Sequence, residues 1–428
     1  MPADTSYQSR MLRLRARTLA TFYRANPEKR IEGPMGVMAS STLIDLQVGK
    51  EQLPVNIVFI EPDADPIADP SDPETPSLAI NLADIAIYDV GTDKWTLTGD
   101  TTISIGYTLT IGLGITLVIP TGITLTNNGT IIINGAINVS GGTLVNNGTL
   151  INNNNTITFD NNGTLLNSVG GMLTNNGTIV DTGGIIQNSG TITNSEGSKF
   201  TMNNVINSNT SIFTNTGTVT VPTGLTLTNR GNYINDGIII VNGAFVNGQN
   251  RGDVGSLINN NTIIINDGGI IMNINRSSIT NNGKFTINTG GLVNNNSGCT
   301  ITDTTGEYIY NNGNITNFVN GIMTTNSIQN DSTGRINNFG TIINSKKVDN
   351  TGGTINNLLT FKNNGNIYNN GGTTNNIGTM YNYNGTEFFN DLSGSNFNNS
   401  GTLNRTDGTS YYGNDPTGGK LGTASPPS

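Results

Sequence analysis

Between about residue 107 and residue 402, runs of two or three aliphatic residues return every six or seven positions, separated by Thr, Asn and Gly. The alternation is cleanest in Tyr107-Thr108-Leu109-Thr110-Ile111, Gly122-Ile123-Thr124-Leu125-Thr126 and Gly224-Leu225-Thr226-Leu227-Thr228. A period of two turns the aliphatic side chains to one face and the threonines to the other, as in a half-buried strand. The runs are too close for a β-sandwich, whose turn signals come about every 8–12 residues. Three successive runs make a unit of about twenty residues, the scale of one β-solenoid coil.

A degenerate turn phrase punctuates these runs. It is clear in Asn127-Asn128-Gly129-Thr130, Asn146-Asn147-Gly148-Thr149, Asn161-Asn162-Gly163-Thr164 and Asn175-Asn176-Gly177-Thr178. It is worn in Asn188-Ser189-Gly190-Thr191, Asn338-Phe339-Gly340-Thr341, Tyr383-Asn384-Gly385-Thr386 and Asn399-Ser400-Gly401-Thr402, where the lead residues drift. Gly is expected to supply positive φ, Asn to tolerate it, and Thr to open the next strand. Asn-Gly between apolar runs also suits a hairpin, but the close recurrence favours coils. In stacked coils, equivalent Asn side chains would bond up and down the stack as ladders. The fold expected is all-β: a parallel β-helix, taken as right-handed, with a short N-terminal α-helical attachment segment.

Composition narrows this reading. The chain has 428 residues but only 6% aromatic and 11% charged, too few large side chains to fill two or three globular cores. One elongated module over 95–405 fits better. A net charge of −9 disfavours nucleic acid as a partner of the repeat body. Cys299 is the single cysteine, so no internal disulfide framework and no cysteine metal cluster are expected.

Three segments stand outside the repeat. Residues 1–34 carry a helical pattern from Thr5 to about Ala25, with Thr5 and Gln8 spaced as a capping box and Pro27 closing it. Leu12, Ala16, Leu19 and Tyr23 fall on one side, and Arg10, Arg13, Arg17 and Arg24 on the other. These two stripes suit docking to another protein in an assembly, where the helix would be the anchor, and equally packing against the first coils or binding to a membrane surface or nucleic acid. The arginines interrupt any secretory h-region, and no span reaches the length of a membrane helix. Residues 35–94 are read as a short-strand attachment region, with strands at 41–48 and 55–60 before an acidic, proline-rich spacer from Glu61 to Pro76. Residues 406–428 are read as a C-terminal cap and tail, while Trp95 and Leu97 are candidates to close the other end.

The chemistry is sparse. With no histidine, the chain has no His-based triad and no usual zinc set. Asp160, Asp181, Asp236, Asp267, Asp303, Asp331 and Asp349 are scattered singly, whereas glycan cleavage needs converging acids. Asp160 and Asp181, one coil apart, are the first pair to inspect. The expectation is therefore no enzyme activity and no cofactor or metal. Arg251-Gly252-Asp253 spells the tripeptide that integrin receptors recognise and is a weak receptor motif in so Gly-rich a chain. Asn128, Asn147, Asn162 and Asn176 each precede Gly-Thr, matching the N-glycan acceptor pattern that the turn itself also requires.

The run 108–130, passing from Thr/aliphatic alternation into Asn-Asn-Gly-Thr coils, resembles the Asn/Gly-rich β-helices of adhesin-like surface proteins and of structural proteins of large DNA viruses. The resemblance covers about three quarters of the chain. It implies a shaft or fibre on a viral particle, docked to other virion proteins through the N-terminal helix and able to contact a host surface glycan or receptor. Adhesins of this style carry an export signal and an anchor, and neither is read here. That turns the expectation toward the virion surface, with a secreted, extracellular adhesin-like or glycan-processing β-helix as the alternative. A trimer is the candidate oligomer. An ice-binding solenoid is a further rival and would need one flat face of regularly spaced Thr.

Overall fold

A computed structural model describes residues 44–48, 51–55, 78–160, 162–250, 252–306, 308–383, 386–390, 395–405 and 410–413. The chain divides into two units, 1–79 and 80–428. In the first, strand Ile44–Val48 pairs antiparallel with Glu51–Val55. The expected first strand is there, but its partner lies earlier than the 55–60 segment, most of which falls outside the described residues. The N-terminal helix and the acidic spacer also fall outside them.

The second unit is a parallel β-solenoid. Three strands make each coil, illustrated by Thr124–Asn127 on the first face, Thr130–Ile133 on the second and Ala136–Ser140 on the third. Each strand pairs in register with its counterpart one coil on, and the first face stacks fifteen strands. At about 4.8 Å per step these make a stack on the order of 70 Å. Coil length varies from 18 to 26 residues between equivalent inward Asn positions. The pairing tolerates this variation because extra residues are extruded at the corners.

The typical strand follows one formula. Its first and third residues face out and its second and fourth face in, as in Thr143–Asn146 and Thr149–Asn152. The second position is aliphatic or aromatic and fills a continuous core from Leu82 to Leu403. Each buried Leu or Ile there contributes roughly 1.5–3 kcal/mol. In mid-stack the filling turns aromatic: Phe213 and Tyr233 stack at 4.7 Å, with Phe200 and Phe245 edge-on beside them.

The glycine of the turn phrase has a different role from the one expected. Gly129, Gly148, Gly163 and Gly177 do not have positive φ; in the 161–164 copy Asn162 takes it instead, at 66°, and the positive-φ glycines lie in other turns, such as Gly122 and Gly224. A Cβ at Gly148 would lie 2.2 Å from the Gly129 carbonyl oxygen, and one at Gly163 would lie 1.9 Å from that of Val139. Glycine is required because the coil beneath leaves no room for a side chain. Among the described residues the phrase turns a corner between faces and forms no hairpin.

At its N-terminal end the stack is covered by a short helix, Leu82–Ile85, capped by the Asn81 side chain accepting from the Ala83 N–H. An antiparallel pair follows, Ala86–Asp89 with Lys94–Leu97. Leu82, Ala86 and Leu97 join the core and Trp95 packs against it. At the other end, Ser410–Gly413 still pairs in parallel with Glu387–Asn390, so the third face runs to residue 413.

Candidate binding surfaces

The fourth, inward position of the strands builds the most regular feature of the molecule. On the first face it is Asn in every coil from Asn127 to Asn399. Each Nδ2 donates to the Oδ1 one coil on, from Asn127 to Asn146 at 2.8 Å, Asn146 to Asn167 at 2.7 Å, and onward to Asn376 to Asn399 at 2.7 Å. The second N–H commonly reaches a backbone carbonyl, as from Asn127 to Thr149 at 2.8 Å. Such a column satisfies amides that would each be costly to bury alone.

Two shorter ladders line the other corners. On the second face the column reads Ile111, Ile133, then Asn152 through Asn281, which donates to Asp303. Thr325 follows, and Asn363 and Asn382 resume the bonds beyond it. On the third face, Asn311, Asn330, Asn350, Asn369 and Asn390 form the ladder. The Oδ1 atoms of Asn127, Asn152 and Asn311 are buried without a protein hydrogen-bond partner. These are the heads of the three ladders. Below each lies an isoleucine, Ile103, Ile133 or Ile287, whose side chain has no donor to offer.

Asp181 registers against Phe159, so Asp160 and Asp181 sit one position apart in phase. Asp181 points into the core and accepts from the Gly184 N–H at 2.7 Å, while Asp160 faces out beside Asn138. Alternation thus sets the inspected pair on opposite sides of the sheet. Burial pushes the Asp181 and Asp303 carboxyls up, against the hydrogen bonds they accept. Asp236, Asp331 and Asp349 are held singly by Asn260, Gln329 and Lys347. Among the described residues no group of three His, Cys, Asp or Glu is placed to hold a metal ion. Cys299 is buried, which pushes its thiol up.

Of the receptor tripeptide, Arg251 lies outside the described residues. Gly252 and Asp253 belong to the insertion in the longest coil, between Asn247 and Asn273. The Asp253 carboxylate is already engaged, 3.3 Å from Arg230 Nε and accepting from the Asn250 N–H at 3.0 Å. Burial would raise its pKa, but these partners together with Asn209 hold it below the usual carboxylate range. Arg10, Leu12, Arg13, Arg17, Leu19 and Arg24 all lie outside the described residues. A threonine column opens the first face at Thr124, Thr143 and Thr164, but Ile185 and Asn204 interrupt it.

Two outward surfaces emerge that the sequence reading passes over. On the third face Lys347 lies 4.7 Å from the Tyr368 ring centre and 2.8 Å from Asp349, and Tyr368 stacks on Phe389 at 4.7 Å. The Asp349 hydrogen bond raises the Lys347 ammonium pKa, and Tyr308 adds to the effect. On the first face a groove of about 430 Å³ runs across four coils. One wall is a row of outward amides in which Asn356 donates to Asn337 at 2.9 Å, Asn375 to Asn356 at 2.8 Å and Asn398 to Asn375 at 2.8 Å. The other wall is the adjacent corner, with Phe339, Leu358 and Ile377 one above another. Phe339 also stacks on Phe318 one coil below. These wall residues are the drifted lead positions of the turn phrase. The available signal was Asn-Asn followed by Phe, Leu or Ile in place of a second polar residue.

The class these features define is an Asn-ladder β-solenoid. No family model matches the sequence. No curated protein matches it either. A crystal structure of a TibC-catalysed, hyper-glycosylated TibA fragment aligns with 74% of this chain and 98% of its own, at 18% identity and a TM-score of 0.22. A likeness of that size carries nothing about activity or partner.

Proposed function

We propose that the chain is a non-enzymatic structural protein, a β-helix shaft displayed on a viral particle and able to contribute to attachment at a host surface. The observation that carries the shaft reading is the unbroken first-face ladder, thirteen amide bonds joining fourteen asparagines. A column of this kind couples every coil to the next and stiffens the stack without a catalytic cleft. The virion location rests on the repeat style, and the anchor on the Arg-rich segment containing Arg10, Arg13, Arg17 and Arg24. Association of three copies through solenoid faces belongs to the same reading.

A second reading, a secreted adhesin-like solenoid, is favoured by the outward Asn of the turn phrase. Asn147 and Asn162 are exposed and Asn128 and Asn176 half-buried, whereas their neighbours Asn127, Asn146 and Asn175 are fully inside. Quantitative peptide mass spectrometry on density-purified particles, before and after mild protease shaving, separates the two. Solenoid peptides abundant in particles and lost on shaving, with N-terminal peptides retained, are expected for an anchored shaft. Absence from particles, with glycan mass on Asn-Gly-Thr peptides in the medium, would replace it with the adhesin.

A further inference from the structure

The first-face groove combines two recognition chemistries in one axial slot. Its polar wall repeats at the strand spacing of about 4.8 Å, so Asn337 to Asn398 spans about 14 Å along the stack. An amide carries two N–H donors and two lone pairs. Asn356 and Asn375 each spend one donor and one acceptor within the row. Each therefore keeps a donor and an acceptor directed away from it, side by side and repeated once per coil. The facing wall is apolar and partly open to water, with Ile377 60% exposed. Asn, Phe, Leu, Ile and Ser form the lining, and no ionised side chain contributes.

We propose that this groove binds a neutral linear glycan lying parallel to the solenoid axis. Sugar rings would lie against the Phe339–Leu358–Ile377 wall and hydroxyl edges against the amide row. The inference deepens the attachment reading above by naming its contact surface, and it rests on that reading for its biological setting only. A pyranose ring presents an apolar face and a rim of hydroxyls that both donate and accept, matching the two walls. In an extended glycan each ring advances by close to one coil step. A peptide strand advances about 3.3 Å per residue and falls out of step with the row. The absence of charge in the lining selects against sulfated or sialylated chains. The Lys347–Tyr368 cluster is a weaker candidate, since its cation is already paired with Asp349.

The test is titration calorimetry of the full chain with neutral hexasaccharides of β-1,4-glucose, β-1,4-N-acetylglucosamine and β-1,4-mannose. It is repeated on Asn375→Ala, Ile377→Ser and the remote control Thr193→Ser. All three positions face outward, and circular dichroism and the melting midpoint check that each variant keeps the fold. Saturable binding of at least one sugar is expected, weakened roughly tenfold or more by each groove substitution and unchanged in the control. No binding by any of the three, or binding that ignores both groove substitutions, overturns the proposal. So does wild-type self-association in sedimentation that the groove substitutions abolish, because a second copy would then be the occupant. Particle shaving reads location alone, so failure of the shaft reading and failure of the groove are separate results.

Discussion

The same inward corner of the third face is built in two ways. In the earlier coils it holds Ile119, Val139, Phe159, Met202, Val221, Val241, Ile265 and Ile287, with Asp181 as the one departure. From Asn311 onward it holds asparagine. Backbone register is indifferent to the change, since both versions pair in parallel without interruption. What differs is how far a perturbation travels. An aliphatic side chain contributes by its own burial, largely independently of the corner above. A ladder amide is donor to one neighbour and acceptor from another, so its contribution belongs to the column.

The largest test removes a rung. Asn350→Ala should orphan the Asn330 N–H and the Asn369 oxygen, costing about 2–6 kcal/mol at one to three per buried unpaired group. Amide exchange should show lost protection in the coils on both sides. Val241→Ala, a smaller change in the apolar region, should cost about 1–2 kcal/mol from two methyl groups, with protection lost mainly in its own coil. Equal costs and equal spread would break the comparison.

The reverse graft sharpens it. Val241→Asn sets a lone amide between Val221 and Ile265 and should destabilise by about 2–4 kcal/mol in denaturant unfolding. Asn311→Ile is the informative mild case. Asn311 already heads its ladder with an unpartnered oxygen, so replacing it moves the head up to Asn330, whose oxygen takes over as the single orphan. Its cost should stay within about 1 kcal/mol, the value of the Arg335 carbonyl contact it gives up.

The smallest effect is on pH. Burial raises the Asp181 and Asp303 carboxyls in the folded chain. The unfolded chain therefore ionises first as pH rises from about 3.9. Their contribution is fully present below that value and is lost as pH climbs through the raised folded pKa. Asp181→Asn should flatten part of this decline, read as a smaller drop in unfolding midpoint between acid and neutral pH. An unchanged pH profile would show that Asp181 is ionised in the fold at no cost.

Much of this was legible before any coordinates. Alternation in 107–111 and 122–126 declared strands, the spacing of three runs declared a coil, and the equivalent Asn positions declared ladders. The glycine was legible as necessary but for the wrong reason, because contact with Gly129 belongs to the coil beneath and leaves no local trace at Gly148. Asp160 and Asp181 looked paired because their separation is one coil length, yet a phase shift of one residue reverses the direction of a strand side chain. The groove was hidden as drift. Phe339, Leu358 and Ile377 are isolated apolar residues in turns, and only stacking makes them a wall.

The sequence by itself determined the strand formula, because the alternation of apolar and polar side chains and the need to satisfy inward amides are properties of short segments. Tertiary structure decided which corner each turn phrase serves. The same letters turn from first face to second at Asn146-Asn147-Gly148-Thr149 and from second to third at Asn175-Asn176-Gly177-Thr178. It also decided where outward residues line up into a surface. Both depend on cumulative coil length, a sum over many turns that no local pattern records.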